Sequence, residues 1–210
     1  MTMKSTKEKA PPRIKAGVAQ IRAQQPIIAF ASAAKFSQWL NRHHANHPGI
    51  WLRIYKKSTR HSTVSYAEAL DIALCYGWID GQKQRGDEES WLQKFTQRRP
   101  RSGWSKINVG HVARLTRERR MKPAGIAAVE AAKADGRWER SYSPSSTAEL
   151  PVDFMQALAK APQAETFFNA LNQANRYAIH YRLETAKRPE TRTRRMAEFI
   201  AMLARGEKLH

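Results

Sequence analysis

From Pro26 onward the chain alternates between short apolar runs and stretches with helical period. Ile27, Ile28 and Phe30 form a run that predicts a strand, and Ser32 can cap the helix after it. In that helix Phe36, Trp39, Leu40 and His43 fall at the i, i+3, i+4, i+7 spacing of one buried face, ending before Pro48 and Gly49. Between Ile50 and Lys56 the residues Ile50, Leu52 and Ile54 alternate with Trp51, Arg53 and Tyr55, the period of a strand with one side buried. Ser65 and Glu68 have the spacing of a capping box, which predicts a helix from Tyr66 that buries Leu70, Ala73 and Leu74 and stops at Gly77. Trp78 to Gln84 and Ser90 to Phe95 then read as a hairpin turning at Arg85-Gly86-Asp87. Asp80-Gly81 is a rival turn that would shorten the first strand.

Pro100, Ser102 and Gly103 break the pattern before Ser105 or Asn108 caps a helix carrying Val112 and Leu115. Past Pro123 the chain reads as helical. An alanine-rich stretch ends at Gly136, a polar loop covers 141–150, and Phe154, Met155 and Leu158 mark a short helix. Phe167, Ala170, Leu171, Ala174, Ala178 and Tyr181 keep helical spacing over a longer segment that Asn172 and Asn175 could interrupt, and a last helix follows Pro189 with Met196, Phe199, Ile200 and Leu203. The expected fold class is therefore α+β: a small mixed or antiparallel sheet with helices in the N-terminal half, followed by a helical C-terminal region. The expected organisation is a disordered basic tail over residues 1–25, an α+β domain over 26–140 and a helical subdomain over 151–210.

Charge changes this picture most. Lys and Arg number 37 against 18 Asp and Glu, a net +19, so the potential over much of the surface is positive and a polyanion would relieve the self-repulsion. The expected partner is an anionic ligand: nucleic acid, anionic lipid or an acidic protein surface. The single cysteine, Cys75, forms no intrachain disulfide and fits a reducing compartment. The first residues have no apolar core of a secretion signal, and no segment approaches the roughly 20 apolar residues of a membrane span. Cytoplasm is the expected location; the oligomeric state is not legible.

Three tryptophans, Trp78, Trp91 and Trp104, crowd into the span from Cys75 to Asn108 beside a cluster of arginines. With this span stand WLNRHHANHPGIWLRIYKK, YAEALDIALCYGWIDG, LQKFTQRRPRSGWSKIN, RRMKPAGIAAVEAAKADGRW and YRLETAKRPETRTRRMAEFIAMLARGEKLH. Taken together, from about Phe30 onward, the chain resembles the YdeI/OmpD-associated family, also labelled bacteriocin-protection proteins. It departs from that pattern at Gln97, where the family more often has proline, a change expected to bear on loop shape. The resemblance implies a role in resistance to cationic antimicrobial peptides. A +19 protein repels such a peptide, so protection would have to act through an anionic intermediary.

From Arg98 to Arg120 eight cations face only Glu118. If Arg98 to Lys106 forms a loop beside the hairpin, guanidinium forks and an indole face could take a phosphate and a stacked base together. The candidate anion- or ligand-binding residues are Trp78, Asp80, Arg98, Arg99, Trp104, Lys106 and Asn108, although a large aromatic such as Trp104 is more often a core plug. A second basic row, Arg182, Lys187, Arg188, Arg192, Arg194 and Arg195, flanks the C-terminal apolar stripe and reads best as a solvated helix face.

A non-enzymatic stress or peptide-resistance role is the first reading. The alternative is an enzyme whose cleft gathers Asp80 as acid or base, Arg99 and Lys106 as anion holders and Trp78 or Trp104 as a wall, with Tyr66 nearby. Asp87 and Glu88 read as turn chemistry, and Cys75, near a helix C-terminus, as a structural thiol. His43, His44 and His47 lack the glutamate or cysteine partners of a zinc set, and no phosphate-loop or dinucleotide motif is present, so no metal and no cofactor is expected.

Overall fold

A computed structural model describes residues 25–210, so the expectation for the basic tail lies outside the described residues apart from Gln25. Four strands, β1 (Ile27–Ala29), β2 (Ile50–Tyr55), β3 (Trp78–Arg85) and β4 (Ser90–Gln97), form one mixed sheet in the order β1-β2-β4-β3. The first pair is parallel and the other two are antiparallel. Eight helices accompany them among the described residues: α1 (Ala33–His43), α2 (Tyr66–Cys75), α3 (Lys106–Arg117), α4 (Pro123–Ala134), α5 (Val152–Ala159), α6 (Pro162–Ala170), α7 (Gln173–Glu184) and α8 (Pro189–Ala204). The protein is α+β.

Local chemistry sets the element boundaries. The Ser32 hydroxyl accepts from the Lys35 N–H at the start of α1, and Ser105 does the same for α3 through Asn108. At α2 the capping box closes in both directions, with Ser65 Oγ accepting from the Glu68 N–H and the Glu68 carboxylate accepting from the Ser65 N–H. The hairpin keeps its longer form: β3 runs through Asp80-Gly81 with a register shift between Asp80 and Lys83. There Gln93, 4% exposed, turns its side-chain amide onto the Gly81 and Gln82 carbonyls that the bulge leaves over.

Two details differ from the sequence reading. His43 is exposed rather than buried and lies against Trp39, with ring centroids 4.9 Å apart. The long helical stretch from Phe167 to Tyr181 is two helices, because Asn172 leaves the helix and caps α7 by accepting from the Asn175 N–H.

The side chains form two apolar clusters. One gathers α1 to α4 on one face of the sheet around Phe36, Leu40, Ile50, Leu52, Leu74, Trp78, Phe95, Trp104 and Leu115; the other, around Phe154, Leu158, Phe168, Ile179, Phe199 and Leu203, belongs to α5 to α8. In the first cluster the start of α4 sits on the end of α2, where the Lys122 N–H donates to the Cys75 carbonyl. Gly125 permits this approach, since a Cβ there would come within 2.2 Å of that same carbonyl oxygen. Cys75 itself is buried, and burial pushes its thiol above the ordinary range.

Between the clusters, residues 141–143 run beside the start of α3. The Tyr142 N–H donates to the Trp104 carbonyl and the Lys106 N–H to the Tyr142 carbonyl, each at 2.9 Å. Glu184 of α7 holds the same segment, accepting from the Ser143 N–H at 2.9 Å and its hydroxyl at 3.0 Å. Burial works against the Glu184 charge, but these bonds and His180 hold its carboxyl below the usual range.

Candidate functional site

The residues expected to line one cleft, Asp80, Arg99, Lys106 and Trp78 or Trp104, do not gather in one place. Asp80 lies on the helix-covered side of β3, where its carboxylate accepts from the Tyr66 hydroxyl at 2.8 Å. Burial, and then the hydrogen bond and charge of Asp80, push the Tyr66 hydroxyl far above its ordinary range, so it keeps its proton. Such a pair positions a side chain, but it leaves Asp80 engaged and Tyr66 unable to act as a base near neutrality.

Arg98 lies flat on Trp104, its guanidinium carbon 3.5 Å from the ring centroid, and donates to the Gly103 carbonyl at 3.1 Å. Burial pushes this guanidinium down to about 10, with Tyr142 and Asp80 opposing the shift and Arg137 adding to it. Trp104 is 1% exposed and stacks edge-on with Trp138. Trp78 is fully buried; its indole N–H donates to the His44 carbonyl at 2.9 Å, and Trp39 meets it edge-on. A ligand therefore reaches neither ring without displacing its neighbours, and the expected indole wall is part of the core.

Gln97 closes the same corner. Its amide donates to the His44 and Ala45 carbonyls just past α1, at 2.5 and 2.8 Å. Rather than shaping a loop, it ends β4 and satisfies carbonyls that the end of α1 leaves without partners. Lys106 bridges Ser143 at 2.8 Å and Glu184 at 3.5 Å, while Asn108, 9% exposed, gives its backbone N–H to Ser105. Much of the remaining basic run is tied down as well. Arg114 and Arg120 share Asp71 and Glu118, with His111 3.3 Å from Asp71. On the C-terminal row Arg192 pairs with Asp153 and Arg194 with Glu198.

Arg99 goes elsewhere, to the opposite face of the sheet. Trp51, Arg53 and Tyr55 alternate with the buried residues of β2 and so point away from α1 and α2. They are partly exposed, and Ile27 beside Trp51 is 52% exposed. Lys94, paired with Trp51 across the strands, holds its ammonium 5.4 Å from the indole centroid, and His61 stacks on Tyr55 at 4.3 Å. Leu92 is buried beneath these side chains but belongs to neither apolar cluster. At one end the face opens into a groove of about 590 Å³ bordered by His47, Ile79, Lys94, Thr96 and Arg99. At the other end Arg53 pairs with Asp87. Among the described residues Lys94 and Arg99 have no carboxylate at ion-pair distance, so these two cations of the face, unlike Arg53, are not neutralised within the fold.

The sequence reading missed this face as a site, although Trp51 and Tyr55 at alternate positions of a half-buried strand were its signal. Arg99 is the candidate residue that it shares with the earlier expectation.

Comparison with known families divides the chain in two. Residues 147–206 match the model of the family described as bacteriocin-protection, YdeI or OmpD-associated, and residues 28–128 match a domain of unknown function, DUF8412. The family match thus covers the C-terminal helices, whereas the resemblance drawn from the sequence extended from about Phe30. No curated protein and no solved structure matches the chain. No helix among the described residues is long and apolar enough to cross a membrane.

Proposed function

As the chain carries the bacteriocin-protection, YdeI or OmpD-associated domain over residues 147–206, we propose that it acts in that setting without catalysis, as a cytosolic protein whose open sheet face binds single-stranded nucleic acid. The observation that carries this reading is the outer face of β2 and β4, where Trp51, beside Lys94, and Tyr55 are partly exposed and the groove leads on to Arg99. Flat rings take unpaired bases by stacking, and unneutralised cations follow the phosphates. Duplex DNA and lipid head groups offer the charge without the free bases, so the aromatic rings favour a single strand. A cationic bacteriocin would be repelled by the net +19. Any protective role therefore runs through the bound polyanion.

The enzyme reading draws less support, because Asp80 is bonded to Tyr66, Lys106 to Ser143 and Arg99 borders a different face.

The test is fluorescence anisotropy of a labelled oligo(dT) across a salt series. Binding should be measurable at low salt, with the logarithm of the affinity falling linearly against that of salt concentration. Trp51→Ala should weaken it by roughly 5- to 150-fold, the equivalent of about 1–3 kcal/mol per stacked base. Salt-independent or absent binding overturns the proposal. Binding to phosphatidylglycerol vesicles that equals the oligonucleotide's and ignores Trp51→Ala would replace nucleic acid with anionic lipid.

A further inference from the structure

The groove at the end of the outer face differs from the rest of that face in having walls. Thr96 and Ile79, paired across β4 and β3, form its base. One side is closed where Gln25 donates its amide to the Pro48 carbonyl at 3.0 Å. Gly49 keeps this side close to the base: its φ is +128°, and a Cβ there would come within 2.6 Å of the Thr96 methyl carbon and 2.8 Å of the Gln25 amide nitrogen. Past the end of β4 the turn from Arg99 to Ser102 forms a further border. It is tied by the Ser102 N–H donating to the Arg99 carbonyl at 2.9 Å and the Arg99 N–H donating to the Ser102 hydroxyl at 3.2 Å.

The charge of the groove is one-sided. Lys94 and Arg99 border it and no carboxylate does. Among the described residues neither of these cations, nor the Thr96 hydroxyl, makes a side-chain hydrogen bond within the fold, so their donors are free for a ligand. A cavity of about 520 Å³ at the end of the hairpin shows the contrast. Lys56, Lys83 and Arg85 border it together with Asp87 and Glu88, and the Lys56 ammonium already donates to the Glu88 carbonyl at 2.5 Å. An anion there meets carboxylates, whereas one in the groove meets only positive and neutral groups.

We infer that the groove seats the end of a bound single strand, its terminal phosphate monoester received by Arg99 and Lys94, an inference that rests on the nucleic-acid role of the outer face. A terminal monoester carries a charge of roughly −1.5 to −2 near neutral pH and three acceptor oxygens, against a single charge for each phosphodiester within the strand. Two cations without partners therefore distinguish the end of a strand from its interior. Arginine adds geometry, since its planar fork takes two oxygens of one phosphate. The volume of about 590 Å³ lies within the roughly 300–1,000 Å³ of small-ligand sites, room for a terminal nucleotide. Trp51, whose ring lies beside Lys94, is then in position to stack a neighbouring base.

The experiment uses fluorescence anisotropy with the full chain at pH 7.5 and oligo(dT) of one length carrying a 5′-phosphate or a 3′-phosphate. Each is labelled at the opposite end and compared with a hydroxyl-ended strand bearing the same label. Phosphate at one terminus should tighten binding about tenfold, the lower end for a hydrogen bond to a charged group. Phosphate at the other terminus should not, because the strand lies along the face in one direction. Arg99→Gln, at an exposed position, should bring the tenfold ratio to near one whatever it does to the affinity both strands share, while Lys133→Gln, away from the sheet, keeps the ratio. Equal affinity for phosphorylated and hydroxyl-ended strands overturns the inference and leaves the sheet-face reading standing. So does an equal gain at both termini, a gain that Arg99→Gln leaves intact, or one that Lys133→Gln removes just as fully. If no strand binds at all, the sheet-face reading falls first and this inference with it.

Discussion

The two faces of the sheet are made by the same strands, and alternate residues of β2 divide between them. Ile50, Leu52 and Ile54 are at most 4% exposed under α1 and α2, whereas Trp51, Arg53 and Tyr55 are partly exposed. On the inner face aromatic rings meet other rings, backbone or a cation closed in with them, as Phe36 meets Phe95, Trp78 meets the His44 carbonyl and Arg98 lies on the buried Trp104. On the outer face they meet cations and a histidine, as Trp51 meets Lys94 and Tyr55 meets His61. An aromatic residue next to a basic one thus carries two messages. The face on which it lands decides whether it reports packing or recognition.

The contrast breaks most visibly at Phe95. It is fully buried between the sheet and α1, and Phe95→Ala should cost about 3–5 kcal/mol in urea unfolding through lost burial and the cavity left behind. Trp51→Ala, the variant proposed above for binding, removes a larger side chain from the other face and should cost far less stability. If the two losses are alike, the outer face is as much a packing surface as the inner one, and the distinction fails.

A smaller effect is expected in the helix layer that makes the inner face an interior. The α2 capping box is local, and Ser65→Ala should cost about 1 kcal/mol. Hydrogen bonds from the Ser65 side chain, then from its backbone, hold the Glu68 carboxyl below its ordinary range. A depressed folded-state value contributes stability above the unfolded-state value, near 4.3, and that contribution disappears as pH falls through the folded one. The gap between Ser65→Ala and the parent protein in thermal melts should accordingly be full at neutral pH and narrow in acid. A gap of constant size would assign the effect to the hydroxyl alone.

Much of this architecture was legible because it is written at short range. The β2 alternation, the Ser65/Glu68 spacing and the turn at Arg85-Gly86-Asp87 each need only neighbouring residues, and each stands in the structure. The site was far less legible, for its contacts are distant in the chain. Nothing near Gln97 announces that it caps carbonyls at His44 and Ala45, and nothing near Ser143 points to Glu184. Asp71 gathers His111, Arg114 and Arg120 from beyond the hairpin, which turns part of an apparent basic run into a network of ion pairs. Trp78 and Asp80 look like a ligand wall and its acid in sequence. In the fold the indole belongs to a helix end and the carboxylate to Tyr66.

The smallest expected effect is also the one that separates charge from packing most cleanly. Lys94 is partly exposed over Trp51, has no carboxylate at ion-pair distance among the described residues and lies outside both apolar clusters, so Lys94→Gln should leave stability within about 0.5 kcal/mol. Its ammonium, if it meets a phosphate, contributes one released counterion. Removing it should then lower the magnitude of the salt slope for oligo(dT) by about 0.7, the increment for one contact to a single strand. Lys133, whose ammonium pairs with Glu130 and lies 6.0 Å from the Trp138 ring centroid, is the matched control, since a Lys133→Gln change away from the sheet should leave the slope alone. An equal drop for both variants would mean that the strand responds to net charge anywhere on the molecule. The outer face would then have no claim to be its site.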